Sequence, residues 1–318
     1  KQFIIKPNDA AQRLDKFLKK AVPKMPQSLL YRAIRQKKIK VNGKRTEISY
    51  RLCDGDVVCL YLNDDLFDTA PQEYDFLSAP AELDIVYEDE NILLANKKPG
   101  LCVHEDNDHS ADTLIARILH YLYKKGEYDP KKEQSFTPSL CNRIDRNTSG
   151  IVIAAKNAES LRILNERIKE RELKKYYLCV ASGHFAQKSA TLSHFLVRNE
   201  NESLVRVFDK PQKNGRTILT KYKVLKESKE NSLVEVELLT GRTHQIRAHF
   251  AYVGHPLIGD GKYGSNATNR RYGQKYQLLC SYKLTFAFSD TEHLLGYLNG
   301  RTFTVKNVWF ADAFSQTF

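Results

Sequence analysis

No apolar run in this chain approaches the ~20 residues a membrane-spanning helix needs; the longest candidates, residues 92–95 and 151–155, are far shorter. The first residues, Lys1-Gln2-Phe3-Ile4-Ile5-Lys6-Pro7, contain no apolar h-region, so no signal peptide is expected. The six cysteines, at 53, 59, 102, 141, 179 and 280, include no C-x-x-C pair. They read as buried, reduced thiols of a cytoplasmic protein rather than a disulfide framework or a zinc site. No glycine-rich phosphate loop of the P-loop or dinucleotide type occurs, which argues against a nucleotide cofactor. There is no H-E-x-x-H pattern, and no Cys or acid stands at ligand spacing from the histidines at 244, 249 and 255, so no metal is expected. No internal repeat is visible.

What is present is positive charge, unevenly spread. The 318 residues carry a net charge of +12 and are 42% hydrophobic, enough for a full-sized core and a small second domain. Residues 1–62 hold 15 Lys and Arg against 5 Asp and Glu, a net +10. Residues 63–90 hold 10 acids and no base, a net −10, and the remainder carries +12. Two basic blocks flanking an acidic one suggest a polyanionic partner. A merely solvated basic surface fits the charge equally well.

The first block reads as a small α+β unit. Leu14, Phe17 and Leu18 share a helix face. Pro23 and Pro26 interrupt the pattern, and Ser28 can cap a second helix carrying Leu30 and Ile34. Ile39 and Val41 lead into an Asn42-Gly43 turn, and Val57, Cys59 and Tyr61 alternate as a closing strand. Residues 63–80, with acids, turn formers and two prolines, read as a linker. From 81 onward, strands are expected at 92–96, 151–155, 177–181, 217–225 and 233–239, and helices at 113–123 and 160–171. This mixture without a regular βαβ rhythm predicts an α+β domain around a mixed, largely antiparallel sheet.

Two segments hold the residues suited to chemistry. Asn142-Arg143-Ile144-Asp145-Arg146-Asn147-Thr148-Ser149-Gly150 sets an acid on a loop at the mouth of a buried strand, with arginines on both sides. Neighbouring cations favour the ionised carboxylate that a nucleophile must be. By itself the segment reads first as an ion pair capping a turn. Thr240-Gly241-Arg242-Thr243-His244-Gln245-Ile246-Arg247-Ala248-His249 reads as a helix start, with Thr243 as cap, Ile246, Phe250 and Val253 as the apolar stripe, and Gly254 as the stop. Arg242 and Arg247 are left to meet something acidic.

Together these segments, followed by Gly254-His255-Pro256-Leu257-Ile258-Gly259-Asp260 and Tyr263-Gly264, closely resemble the RluA family of pseudouridine synthases. Asn96-Lys97-Lys98-Pro99-Gly100-Leu101-Cys102-Val103-His104 and Lys175-Tyr176-Tyr177 resemble two further motifs of that family, so the likeness spans about 81–318. Residues 12–62 resemble the ribosomal-protein-S-four-like RNA-binding domain, in RLDKFL, KIKVNGK and DGDVV. The resemblance implies three units: an RNA-binding domain (1–62), an acidic linker (63–80) and a catalytic domain (81–318). It implies isomerisation of uridine to pseudouridine without a cofactor, on large-subunit ribosomal RNA or, as the runner-up, transfer RNA. The usual state in the family is a monomer. Asp145 matches the family's nucleophile, Tyr177 the tyrosine that packs on the base, and Arg247 the basic partner of the aspartate. Arg143 matches the arginine that fills the gap left by the flipped base, and Ile246 the pocket floor. Arg146 and Arg242 are further RNA-contacting candidates. Arg32, Arg35, Lys37, Lys38, Lys40 and Lys44 are implied to form a phosphate-facing patch. The chain departs from the family at Asn142 (usually His), Ile144 (usually Leu) and Cys280-Ser281 (often His-Ala). The rival classes are a non-catalytic RNA-binding assembly factor, which needs none of Asp145, Tyr177 and Arg247 in register, and a metal-dependent nuclease, which would need clustered acids where the acid-rich segment 63–90 reads as linker.

Overall fold

The structure, a computed structural model, describes residues 1–67, 74–105, 111–199 and 204–318. In the N-terminal part, strand β1 (Gln2–Ile4) is followed by helices α1 (Leu14–Ala21) and α2 (Gln27–Arg35), then β2 (Ile39–Val41), β3 (Lys44–Arg45) and β4 (Val57–Leu60). The strands form an antiparallel sheet in the order β1-β4-β2-β3. Leu14, Phe17 and Leu18 pack beneath it with Leu30, Ile34, Ile39, Val41 and Val58 in one core. Asn42 and Gly43 both take positive φ, 51° and 74°, the geometry that matches a hairpin's twist. The Asn42 side chain ties this turn to β4, donating to Asp56 at 2.7 Å and accepting from the Val57 amide at 2.8 Å. Ser28 is not a cap: α2 begins at Gln27 behind Pro26, so Ser28 lies inside the first turn and makes no capping bond.

The rest of the chain runs β5 (Ile85–Glu88), β6 (Ile92–Lys97), α3 (Leu114–Lys125), β7 (Ser139–Leu140), β8 (Ser149–Ala155), α4 (Ala158–Lys169), β9 (Leu173–Ser182), β10 (Ser189–Asn199), β11 (Leu204–Phe208), β12 (Arg216–Glu227), β13 (Asn231–Leu238), α5 (Gln245–Tyr252), α6 (Asn266–Arg271), β14 (Leu279–Phe286), β15 (Thr302–Thr304), α7 (Trp309–Asp312) and α8 (Phe314–Thr317). One 11-stranded sheet follows the order β11-β10-β12-β13-β9-β14-β8-β6-β5, with β15 beside β14 and β7 beside β8. Every pairing between these strands is antiparallel except that of β14 with β8. Strands β6 and β8 are continuous apolar runs because both their faces are covered, one by the core that includes α4 and the C-terminal helices, the other by α3.

The parallel pairing of β14 with β8 positions the site. Ser281 pairs with Gly150 at the start of β8 and, on its other side, with Tyr177 on β9. The loop leading into β8 therefore emerges beside Tyr177. Gly150 is at φ 109°, and a Cβ there would lie 2.3 Å from the Ser281 carbonyl oxygen, so only glycine permits the approach.

Residues 63–80 are less purely a linker than their composition suggests. Leu66 and Phe67 pack on the N-terminal core, while Phe76 packs on the core beneath α3. Residues 68–73 of that segment lie outside the described residues. The two parts are also joined directly. Asp9, fully buried, accepts from Ser135 Oγ at 2.6 Å and Gln134 Nε2 at 3.0 Å, and Asn8 Oδ1 accepts from the Ala158 amide at the start of α4. The cysteines are all free but not all buried: Cys179 and Cys280 are, Cys59, Cys102 and Cys141 are half-buried, and Cys53 is exposed. Among the described residues, no helix is long and apolar enough to cross a membrane.

Candidate active site

Asp145 sits on a loop pinned from below. Lys97, 1% exposed, donates from Nζ to the carbonyls of Lys98, Leu101 and Arg146 at 3.0, 2.8 and 2.7 Å. Burial pushes its ammonium down, to about 8, so these carbonyls are the compensation a buried cation requires. Thr148, itself held by Gln277, donates its amide to the Asp145 carbonyl at 3.0 Å. Asn142 accepts from the Ile153 amide at 2.8 Å, closing the loop's other end. The Asp145 carboxylate is left 26% exposed on the wall of a cleft of about 970 Å³.

The cation that meets Asp145 comes from 102 residues further on, not from its sequence neighbours. Arg247 Nη1 donates to Asp145 Oδ2 at 2.7 Å. Arg143 is exposed on the cleft wall, and Arg146 turns its Nε to the Gly100 carbonyl at 3.2 Å. The hydrogen bond that Asp145 accepts is thus from Arg247, not from either of the arginines beside it in sequence. Arg247 is fixed from behind by Asp260, which takes Nε at 2.7 Å and Nη2 at 2.9 Å. Asp260 is fully buried and also accepts from the amides of Lys262 and Tyr263. Burial works against both charges. The Arg247 bonds and the amides outweigh it and hold Asp260 below the usual carboxylate range, and the two carboxylates keep the guanidinium charged.

Arg247 is carried on α5, whose start is not the expected Thr243 cap. Helix α5 begins at Gln245, with His244 before it at φ 52°, a left-handed conformation uncommon for a side-chain-bearing residue. Gln245 instead braces the segment before the helix: its Oε1 accepts from the Arg242 amide at 3.1 Å and from Thr240 Oγ1 at 2.9 Å. Its Nε2 donates to the Leu219 carbonyl and to Thr220 Oγ1, anchoring the turn to β12. Ile246 and Phe250 face the core as expected, and Gly254, at φ 91°, follows the helix end.

Tyr177 and Ile246 are 6% and 4% exposed, and both line the cleft. They pack with Leu279 in the core beneath α5. Burial pushes the Tyr177 phenol up to about 12, so it is neutral at physiological pH. Arg143, Arg146, Arg242 and Arg198, all exposed, give the rim its positive charge; Arg198 is a residue that no sequence motif indicated. Asp260, Lys97, His244 and Gln277 are further members of the site to which no motif assigned a role. Asp260 had a signal, an acid closing the G-H-P-L-I-G-D run with Arg247 in search of one. Among the described residues no three His, Cys, Asp or Glu side chains are grouped as a metal site requires. In the N-terminal part Arg32, Arg35, Lys37, Lys38 and Lys44 are exposed, and Lys40 is half-buried over the Tyr61 ring at 5.4 Å.

The sequence pattern of the RNA pseudouridylate synthases matches residues 91–252, and that of the S4 domain matches residues 12–58. The chain belongs to the RNA pseudouridylate synthase family. It is 34% identical over 303 residues to the ribosomal large subunit pseudouridine synthase C of Vibrio cholerae, covering 92% of this chain and 91% of that protein. An uncharacterized RNA pseudouridine synthase of Mycoplasma capricolum is 32% identical, over 98% of this chain and 99% of its own length. Among solved structures, Human RNA Pseudouridylate Synthase Domain Containing 1 superposes with a TM-score of 0.54 at 28% identity, covering 67% of this chain and 82% of the human one. The chain is therefore a pseudouridine synthase, an isomerase acting on RNA, of the RluA type with an N-terminal S4 domain.

Proposed function

We propose that this synthase converts specific uridines of large-subunit ribosomal RNA to pseudouridine, with Asp145 as nucleophile, acting as a cytoplasmic monomer. The relatives named for the ribosomal large subunit support the substrate. The observation that carries the chemistry is the Asp145–Arg247–Asp260 chain, with contacts of 2.7, 2.7 and 2.9 Å, opening on the cleft that Tyr177 and Ile246 line.

The reaction breaks the bond from ribose C1′ to uracil N1, leaving its electron pair on N1. The ring turns, C5 bonds to C1′, the C5 proton departs, and N1 takes up a proton to give the neutral isomer. It is redox-neutral. Reaching the glycosidic bond requires the base to leave its stack, at a cost of a few kcal/mol. Stacking on Tyr177 offsets part of this, by about 1–3 kcal/mol on the scale of other single-strand binders. Arg143 fills the space the base vacates, Ile246 forms the floor of the pocket, and Arg247 holds the Asp145 carboxylate in place through its hydrogen bond. Attack at C1′ or at ring carbon 6 demands the same held carboxylate. Tyr177, a neutral phenol, can accept the C5 proton only as its own hydroxyl proton leaves.

In this reading residues 1–62 form the RNA-binding unit and 81–318 the catalytic unit, with 63–80 joining them. Arg32, Arg35, Lys37, Lys38, Lys40 and Lys44 contact phosphates, as do Arg146 and Arg242 on the rim. The test is carbodiimide-dependent primer extension on ribosomal RNA from cells lacking the gene, complemented with the wild type or Asp145→Asn. Sites that vanish with the gene and return only with the wild type are the expected result. Return with Asp145→Asn removes the nucleophile assignment, and unchanged ribosomal sites move the search to transfer RNA.

A further inference from the structure

His244 combines three features that the proposed chemistry does not use. It lines the cleft, its backbone is held at a left-handed φ of 52°, and its Nε2 stands 4.0 Å from Asp145 Oδ2. Strain of this kind persists only where the surrounding structure imposes it. The imidazole meets Tyr263, whose hydroxyl lies 2.8 Å from His244 Nδ1.

A hydroxyl that donates in this contact leaves Nδ1 the acceptor and puts the ring hydrogen on Nε2. The Tyr263 oxygen already accepts from the Val205 amide at 3.0 Å. Its own proton then needs an acceptor, and among the described residues Nδ1 of His244 is the protein atom within reach. With the Tyr263 proton directed to Nδ1, Nε2 carries the hydrogen. Burial, and then the Arg247 and Lys262 charges, push the imidazole below its usual range despite Asp145 nearby, so the ring is neutral at physiological pH.

We infer that His244 is a positioning residue whose Nε2–H closes onto Asp145 Oδ2 when RNA fills the cleft. At 4.0 Å the pair is too far apart for a hydrogen bond in the free protein. Catalytic hydrogen bonds commonly tighten only in the substrate complex. With Arg247 Nη1 and His244 Nε2 both donating to Oδ2, the other oxygen, Oδ1, is left as the attacking atom and is aimed by the pair. The inference rests on Asp145 being the nucleophile.

Two measurements test it. In ¹⁵N-labelled protein near neutral pH, the His244 ring shifts should show a hydrogen on Nε2 and a bare Nδ1. A hydrogen on Nδ1 overturns the inference without any turnover being measured. Kinetically, His244→Asn tolerates the left-handed backbone but is too short to reach Asp145. It should lower kcat roughly tenfold to a hundredfold with KM unchanged, the scale of one hydrogen bond to a charged group. His244→Gln, with an amide donor of longer reach, should recover most of that loss. A wild-type kcat in His244→Asn, or a loss confined to KM, overturns the inference. Asp145→Asn run alongside separates the failures: if it is active the nucleophile assignment falls, whereas if it is inactive while His244→Asn is normal, only the role of His244 falls.

Discussion

Arg247 is bound to Asp260 through two of its nitrogens, at 2.7 and 2.9 Å, and to Asp145 through the third, at 2.7 Å. Asp260 is fully buried whereas Asp145 is a quarter exposed, so the deeper carboxylate sets where the guanidinium lies and Asp145 meets it there. Replacing Arg247 by Met would strand Asp260 as a buried charge without its cation. We expect a loss of stability of about 3–5 kcal/mol in urea unfolding, together with loss of turnover. Adding Asp260→Asn to that variant should restore much of the stability and none of the activity. Unaltered stability in the single variant would show that Asp260 does not depend on the pair.

Tyr177 contributes a ring and a hydroxyl that can be separated. Tyr177→Phe should keep RNA affinity and lose turnover, measured as release of tritium from uridine labelled at carbon 5. Tyr177→Leu should in addition weaken binding by about 1–3 kcal/mol, the size of one stacked base. A wild-type rate in the phenylalanine variant confines Tyr177 to packing.

The helix carrying Arg247 also carries an acid-sensitive residue. His249 is fully buried, with Nδ1 2.8 Å from Thr220 Oγ1 and Nε2 2.8 Å from His194 Nδ1. Burial, and then His194, push it down from 6.5 to about 4. Between those two values the unfolded chain binds a proton that the native state refuses, so stability falls as pH drops through that window. The depression corresponds to about 3 kcal/mol at its full extent. Urea unfolding at pH values across the window should show this slope in the wild type and a shallower one in His249→Gln. Identical slopes would assign the acid sensitivity to other groups.

The N-terminal cations are predicted to act through phosphates alone. Replacing Arg32, Arg35, Lys37 and Lys38 together by Gln should weaken RNA binding and flatten its salt dependence, by about 0.7–0.9 in log–log slope for each phosphate no longer neutralised. The kcat at saturating RNA should stay unchanged. An unchanged slope would place the RNA path elsewhere on the surface.

Local patterns carried much of the architecture. The 3.6-residue spacing of Leu14, Phe17 and Leu18, the Asn42-Gly43 turn and the apolar runs of β6 and β8 each encode their own conformation, since they depend on neighbours within a few residues. The first turn of α3 was legible too, with Thr113 accepting from the Ala116 amide. Strands β1, β3, β5, β7, β10, β11, β14 and β15 are not marked by local sequence, nor is the extent of β9, because such stretches become strands only when an adjacent strand supplies their hydrogen bonds. Neither Ser28 nor Thr243 caps a helix: α2 begins at Gln27 behind Pro26 and α5 at Gln245 behind His244, with no side-chain cap on either.

The site divides along the same line. Asp145, Tyr177, Arg247 and Ile246 stand in short motifs, and sequence alone determined their identities and the kind of reaction they suit. Tertiary structure decided which charge meets which. Arg247 rather than Arg143 or Arg146 reaches Asp145, Asp260 rather than solvent fixes Arg247, and Lys97 supports the loop from beneath. The Asp145–Arg247 pairing joins residues 102 positions apart, and the parallel pairing of β14 with β8, permitted by Gly150, brings the Asp145 loop beside Tyr177.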